Sequence, residues 1–164
     1  MEKVIEISEA DLYPSIEIWL NGYLKDKYPK YQIETTYKSA THKLENVLRY
    51  YNLNVSRTLL LNIKIDILGI LTYNKQQELV FVEVKDNLLT LKDLGQLWGY
   101  TQLLSPLESF LISSKGLGTI GELYNTLNRR DLFVYGTKKE RIMRAAYWQI
   151  NSNSIDYTSM VPHS

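Results

Sequence analysis

The sequence predicts an α/β fold: a single domain with a central mixed β-sheet flanked by helices. Three observations lead there. Leu79 to Lys85 (Leu-Val-Phe-Val-Glu-Val-Lys) is an apolar, β-branched run with the composition of a strand buried on both faces. A second such run, Leu59 to Leu71, precedes it, and Asn74-Lys75-Gln76-Gln77 between them reads as a hairpin turn. After Lys85, strand-like and helix-like runs alternate, the pattern of crossover connections.

Taken in order, Val4 to Ile7 is short and apolar, and Ser8 with Asp11 offers a helix cap. Pro14 fits near a helix start. From Ser15, the apolar spacing Ile16, Trp19, Leu20, Tyr23, Leu24 predicts an amphipathic helix, with Glu17 at the edge of the stripe. Tyr31 to Lys38 alternates like a strand with one wet face. His42 to Tyr51 reads as a short helix, with Leu44, Val47, Leu48 and Tyr51 inward. Thr90 and Asp93 form a capping box for a helix to about Leu104, stopped at Ser105-Pro106. Phe110 to Ser113 is a strand and Ser114 to Gly118 a loop. Thr119 with Glu122 caps a helix to about Asn128, and Leu132 to Tyr135 is a strand. Thr137 with Glu140 caps a last helix to about Trp148. Residues 1–150 are therefore expected to form the domain, and residues 151–164 a polar tail.

The hairpin carries the charges that matter. In Leu59 to Leu71, Asn62, Lys64 and Asp66 share one parity, and Leu61, Ile63, Ile65, Ile67, Gly69 and Leu71 share the other as a core face. Glu83 and Lys85, two apart, point to one face of their strand. A two-residue loop at Asn74-Lys75 makes Asp66 face Glu83, whereas a four-residue loop makes it face Lys85. Either register gathers Asp66, Glu83 and Lys85 on one face, and a one-residue slip would bury the charges in the core. Charge in such a place is costly unless compensated.

The bulk numbers narrow the class. With 164 residues, 45% of them apolar and 23% charged, the chain is long enough for a core and is not of disordered composition. It has no cysteine, which excludes disulfides, Cys-ligated zinc and Cys-ligated iron–sulfur clusters. No apolar run approaches a membrane span and no signal peptide is visible, so an intracellular, cytoplasmic protein is expected. The net charge of +1 means that any nucleic-acid binding must rely on a local patch. His42 and His163 are isolated, and Ser113-Ser114 has no His–Asp set to activate it.

Ile65-Asp66-Ile-Leu-Gly69 followed by Val82-Glu83-Val84-Lys85 resembles the PD-(D/E)XK nuclease superfamily, the restriction-endonuclease-like fold. Ile65 stands in place of the proline that names the motif, at a position without chemistry. Gln96-Leu-Trp-Gly-Tyr100 is similar to the QxxxY element of RecB-like members, and Glu17 is placed like the helix acid of many members. The resemblance covers about Ser15 to Tyr135. It implies an α-β-β-β-α-β core and a metal-dependent DNA endonuclease, structure-selective like a Holliday-junction resolvase or site-specific. The alternatives are a DNA end-processing exonuclease and a nucleic-acid-binding module with a silenced site. It further implies that Asp66, Glu83 and the Val84 carbonyl ligate Mg2+, for which Mn2+ substitutes, with Glu17 completing the set or binding a second ion. Lys85 would position or deprotonate the attacking water, or stabilise charge; Gln96 would orient Lys85 or a phosphate, with Tyr100 supporting. A homodimer is the expected assembly.

For the DNA itself, Arg129, Arg130, Lys138, Lys139, Arg141 and Arg144 gather against two acids in the stretch from 129 to 144. Lys38, His42, Lys43, Arg49 and Arg57 cluster more loosely. Phosphate contacts need such patches.

Overall fold

The computed structural model describes residues 6–53 and 62–163. The chain is α/β, and the described residues form four α-helices and one curled, mixed seven-stranded sheet. Helix α1 (Glu9–Lys27) leads to β1 (Gln32–Thr36), a 3-10 turn (Lys38–Ala40) and α2 (Leu44–Tyr50). The hairpin β2 (Ile67–Tyr73) and β3 (Gln76–Lys85) follows, then α3 (Leu91–Leu104), β4 (Glu108–Ser113) and α4 (Gly118–Asn125). A second 3-10 turn (Arg130–Phe133), β5 (Val134–Tyr135), β6 (Arg141–Gln149) and β7 (Ser154–Val161) complete it.

The sheet order is β1-β2-β3-β4-β6-β5, with β7 also paired to β6. β1, β2 and β3 are an antiparallel meander, whereas β3, β4 and β6 run parallel. Side-chain alternation divides the core in two. On one face α1 lays Leu12, Ile16, Leu20 and Leu24 over Ile67, Leu71, Val80, Val82 and Val84. On the other, α2, α3 and α4 pack over Leu68, Ile70, Phe81 and Leu111. The helix sits so close at Gly69 that a Cβ there would lie 2.8 Å from the Leu24 Cδ1 and 3.2 Å from the Val80 Cβ. No helix of the described residues is long and apolar enough to cross a membrane.

The hairpin closes in the two-residue register: Tyr73 pairs with Gln76 and Ile67 with Val82. Asn74 and Lys75 both take positive φ, 47° and 65°, as a type I′ turn demands. Extending this register by one residue sets Asp66 opposite Glu83. Yet the expected continuous face from Leu61 to Leu71 does not form. The chain bends at Asp66, so Ile63 and Ile65 join the core under α2 while Ile67 and Leu71 join the core under α1. β2 therefore starts at Ile67; Leu59, Leu61 and Arg57 lie outside the described residues.

Other expectations need correction. Helix α1 begins at Glu9, ahead of Pro14, with the Ser8 N–H donating to the Asp11 carboxylate at 2.9 Å. The last helix is instead a strand, β6. Residues 137–140 form a turn, in which the Lys138 N–H donates to Glu140 and Gly136 and Lys139 take positive φ. The polar tail is instead β7, with Ile155 and Val161 buried against β6 and its neighbours.

Candidate active site

Glu83 and Lys85 stand near the carboxyl end of β3, on the face covered by α2 and α3, because their parity matches that of Phe81. Glu83 is 4% exposed and Lys85 half-buried. Asp66 reaches them from the bend ahead of β2. There the ladder between β2 and β3 ends, and a side chain takes over: the Val84 N–H donates to Asp66 Oδ2 at 2.8 Å. The hydroxyl of Tyr13, from the second turn of α1, donates to Asp66 Oδ1 at 2.9 Å. Both oxygens of Asp66 are thus held, each with lone-pair capacity left.

The Lys85 carbonyl accepts the Ser114 N–H on the β4 side. Carbonyls alternate along a strand, so the Val84 carbonyl points the other way, toward Asp66. The Val84 carbonyl thus lies on the Asp66 side of β3, with the Glu83 carboxylate on the next residue, and all three are hard oxygen donors. Glu83 Oε1 is buried and meets no hydrogen-bond partner. A buried orphan oxygen is costly, and a small divalent cation would satisfy it. Among the described residues no three His, Asp or Glu side chains are grouped so as to hold a metal ion between them. Magnesium does not need one, since it is held by one or two carboxylates and keeps waters. The donor set fits that ion.

The electrostatics agree with this crowding. Burial first, then the charge of Asp66, pushes the Glu83 carboxyl well above its ordinary range, and Lys85 offsets this only in part. Burial also pushes Glu9 up, with Lys85 pulling it down and Asp66 and Asp86 pushing it up. The Tyr13 phenol is raised strongly, by burial and then by Asp66. Among the described residues, Lys85 forms no salt bridge with Asp66 or Glu83; the ion pairs are Lys27–Glu108, Arg129–Asp131, Arg141–Glu78 and Arg144–Glu108. The amine is not consumed in a structural pair.

Glu17 is not at this site. Its carboxylate accepts the Thr35 hydroxyl at 3.2 Å, beside the edge strand β1. The helix acid beside Lys85 and Asp66 is Glu9, about 12 Å earlier along α1 at 1.5 Å per residue. Sequence reasoning missed it by starting the helix at Ser15; the Ser8-x-x-Asp11 box, read as the true start, would have placed Glu9 in the first turn and Tyr13 one turn on. Gln96 and Tyr100 share one face of α3 and meet each other, amide to hydroxyl, at 3.4 Å. Among the described residues no hydrogen bond joins either to Asp66, Glu83 or Lys85. Tyr100 packs on the core of that face, and Gln96 is exposed.

The basic stretch does not form one patch. Arg129 is paired bidentately with Asp131 at 2.9 Å, and Arg130 donates to the His163 carbonyl. Arg141 pairs with Glu78, and Arg144 with the buried Glu108 at 2.9 Å. Three residues apart on β6, Arg141 and Arg144 leave opposite faces of the sheet. Glu78 lies five residues before Glu83 on β3, so Arg141 sits roughly 17 Å from the acids at strand rise. Lys138 and Lys139 are exposed in the turn before β6. Lys38 lies over the Tyr50 ring, 4.6 Å from its centroid, and Lys43 is exposed ahead of α2. Compared with family models, with characterised proteins and with solved structures, the chain gives no match.

Proposed function

We propose that this chain is a magnesium-dependent DNA nuclease of the PD-(D/E)XK kind. The observation that carries the reading is the orphaned, buried Glu83 Oε1 beside a doubly held Asp66 and an uncommitted Lys85. A buried like-charged pair with a free amine is a poor way to stabilise a fold and a good way to hold a cation and a phosphate.

In this reading Asp66, Glu83 and the Val84 carbonyl hold the ion, with Glu9 replacing Glu17 as the nearby helix acid. The ion supplies positive charge against the phosphate oxygens of the scissile bond. Hydrolysis forms a P–O bond from water and breaks the P–O bond to one sugar oxygen, which leaves with a proton. Lys85 positions the attacking water and offsets the negative charge that grows on phosphorus-bound oxygen. The Val84 N–H and the Tyr13 hydroxyl keep Asp66 aimed, so the donor set is in place before substrate arrives. Mn2+ substitutes for Mg2+, since it accepts the same oxygen ligands.

Plasmid nicking with Mg2+ against chelator tests the reading. Glu83→Ala and Lys85→Ala are each expected to abolish cleavage while leaving DNA binding in chelator within about twofold, because these groups act on the bond. Cleavage surviving both changes would remove this site. A silenced binding module would bind DNA and never nick it. A panel of junction, nicked, flapped and single-stranded DNAs assigns endonuclease or exonuclease mode, and light scattering tests the homodimer.

A further inference from the structure

Along the rim from Asp66, aromatic rings continue away from the acids. Tyr13 meets Tyr37 with ring centroids 6.3 Å apart. Tyr37 adjoins Lys38, which covers the Tyr50 ring, and Tyr50 meets Tyr51 edge to face at 5.0 Å. Between the 3-10 turn and α2 opens a pocket of about 290 Å³, lined by Lys38, His42, Asn46, Val47 and Tyr50. Tyr50 is 68% exposed, so its ring is open to a ligand from solvent. The pocket's floor is tied to the site: the Leu44 N–H donates to the Ile63 carbonyl, and the Ile65 N–H to the Ser39 carbonyl, one residue ahead of Asp66. Leu44, Val47 and Leu48 of α2 pack on the same sheet face that carries Glu83 and Lys85.

We infer that this pocket binds an unpaired nucleobase of the DNA strand, stacked on Tyr50. The identity of the ligand rests on the nuclease reading. Each wall has a matching task. Tyr50 offers an aromatic face, on which any base stacks. Val47 gives an apolar floor. Asn46 carries both a donor and an acceptor for a base edge. Lys38 lines the pocket, and Lys43 and Arg49 are exposed ahead of and on α2 against one half-buried acid of that helix, Glu45, which suits the phosphates on either side of the base. Lys38 leaves the ring when the base arrives and pairs with phosphate instead, so the ring's face is kept ordered until then. His42 is engaged through Nδ1, 3.1 Å from the Lys38 carbonyl and 3.0 Å from the Thr41 hydroxyl, and closes the turn that carries Lys38. A fully paired duplex offers no free base to this pocket. The substrate class is therefore DNA with an unpaired nucleotide next to the cut: a flap, a bubble, a branch or a single strand.

The experiment is binding in chelator, where nothing is cut, using a flapped oligonucleotide with 2-aminopurine at each unpaired position in turn and a fully paired duplex of the same length. The wild-type chain is expected to quench 2-aminopurine at one or two positions next to the branch. Tyr50→Ala is expected to remove that quenching and to weaken flap binding about 5- to 150-fold, the range for losing one stacked base, with duplex binding unchanged. Tyr50→Phe, which keeps the ring, is expected to bind as wild type. Lys38→Ala is expected to reduce the slope of log affinity against log salt by about 1. Equal flap binding by wild type and Tyr50→Ala, or no quenching at saturation, overturns the inference. Failure of the nuclease reading shows separately, as absence of nicking with Mg2+ while the quenching persists.

Discussion

Asp66 is the residue on which two elements converge, so its substitution separates a cation site from a structural contact. Asp66→Asn keeps the volume and removes the charge beside Glu83. Its amide oxygen still accepts one hydrogen bond, and the Tyr13 hydroxyl turns to accept from the amide N–H2. In chelator, this variant is expected to melt within a few degrees of the parent. On the proposed reading Mg2+ stabilises the parent, and the variant is expected to lose most of that effect, because it follows occupancy of the folded state. A large loss in chelator, with no Mg2+ effect on the parent, would make Asp66 structural. Glu83 gives a second measurement. Its folded-state carboxyl lies above the value of 4.5 for an ordinary glutamate, so between the two values the folded state binds more protons than the unfolded one. Stability in chelator therefore falls as pH rises from about 4.5 through the folded value, since the slope follows the difference in bound protons. Glu83→Gln is expected to flatten that fall in a series of denaturant titrations from pH 4 to pH 8; an identical slope in both proteins would rule out Glu83 as its source.

At the scale of elements, the β2–β3 hairpin was legible because several signals agreed: two β-branched runs, a polar turn and a parity that set three charges on one face; that face is itself covered, by α2 and α3, which the expectation of a single core face did not foresee. The turn chemistry decides between registers that pattern alone left open. Lys75 holds φ at 65°, where a Cβ costs energy, and Asn-Gly is the preferred pair for such a turn. Lys75→Gly is therefore expected to stabilise the protein by about 1 kcal/mol, seen as a higher midpoint in urea; an unchanged or lower midpoint would count against the type I′ geometry. β6 was not legible, for a physical reason. Met143 and Ala145 are buried on one face and Ala146 and Trp148 on the other, so the run has no period to read, and Thr137-x-x-Glu140 imitates a capping box. β7 was hidden likewise: its buried residues, Ile155 and Val161, are separated by a mostly polar run, Asp156 to Ser159, and its pairing with β6 makes it a strand. At the site, the strand residues Asp66, Glu83 and Lys85 were readable from local pattern. Glu9 was not, since its place depends on where α1 begins and on how the helix crosses the sheet.

The whole molecule places its two charged centres at opposite ends of the parallel strands. Glu83 and Lys85 lie near the carboxyl end of β3, where open α/β sheets leave room for ligands. Glu108 opens β4 at the other end and is met by four donors at 2.8–2.9 Å: the hydroxyls of Tyr23 and Tyr28, the Lys27 amine and the Arg144 guanidinium. That centre is satisfied and serves the fold, joining the end of α1 to β4 and β6. Arg144→Met is accordingly expected to cost about 1–3 kcal/mol of stability, because a buried carboxylate loses a charged donor, and to leave the salt dependence of DNA binding unchanged. A reduced salt slope with unchanged stability would return Arg144 to the DNA-binding surface.

Tyr13 and Asp66 are 53 residues apart in sequence and joined by one hydrogen bond. Through it, a change at either position is felt at the other, as a phenol with no acceptor or a carboxylate with no guide. If the proposed cleavage is what the charge at Asp66 serves, a lineage that abandoned it would be released from that charge but would still have to seat the start of α1. The two positions are therefore expected to be inherited as a couple. Where descendants of this chain exchange Asp66 for an apolar residue, Tyr13 should follow it to phenylalanine or leucine, and a lone change at one of them should be rare.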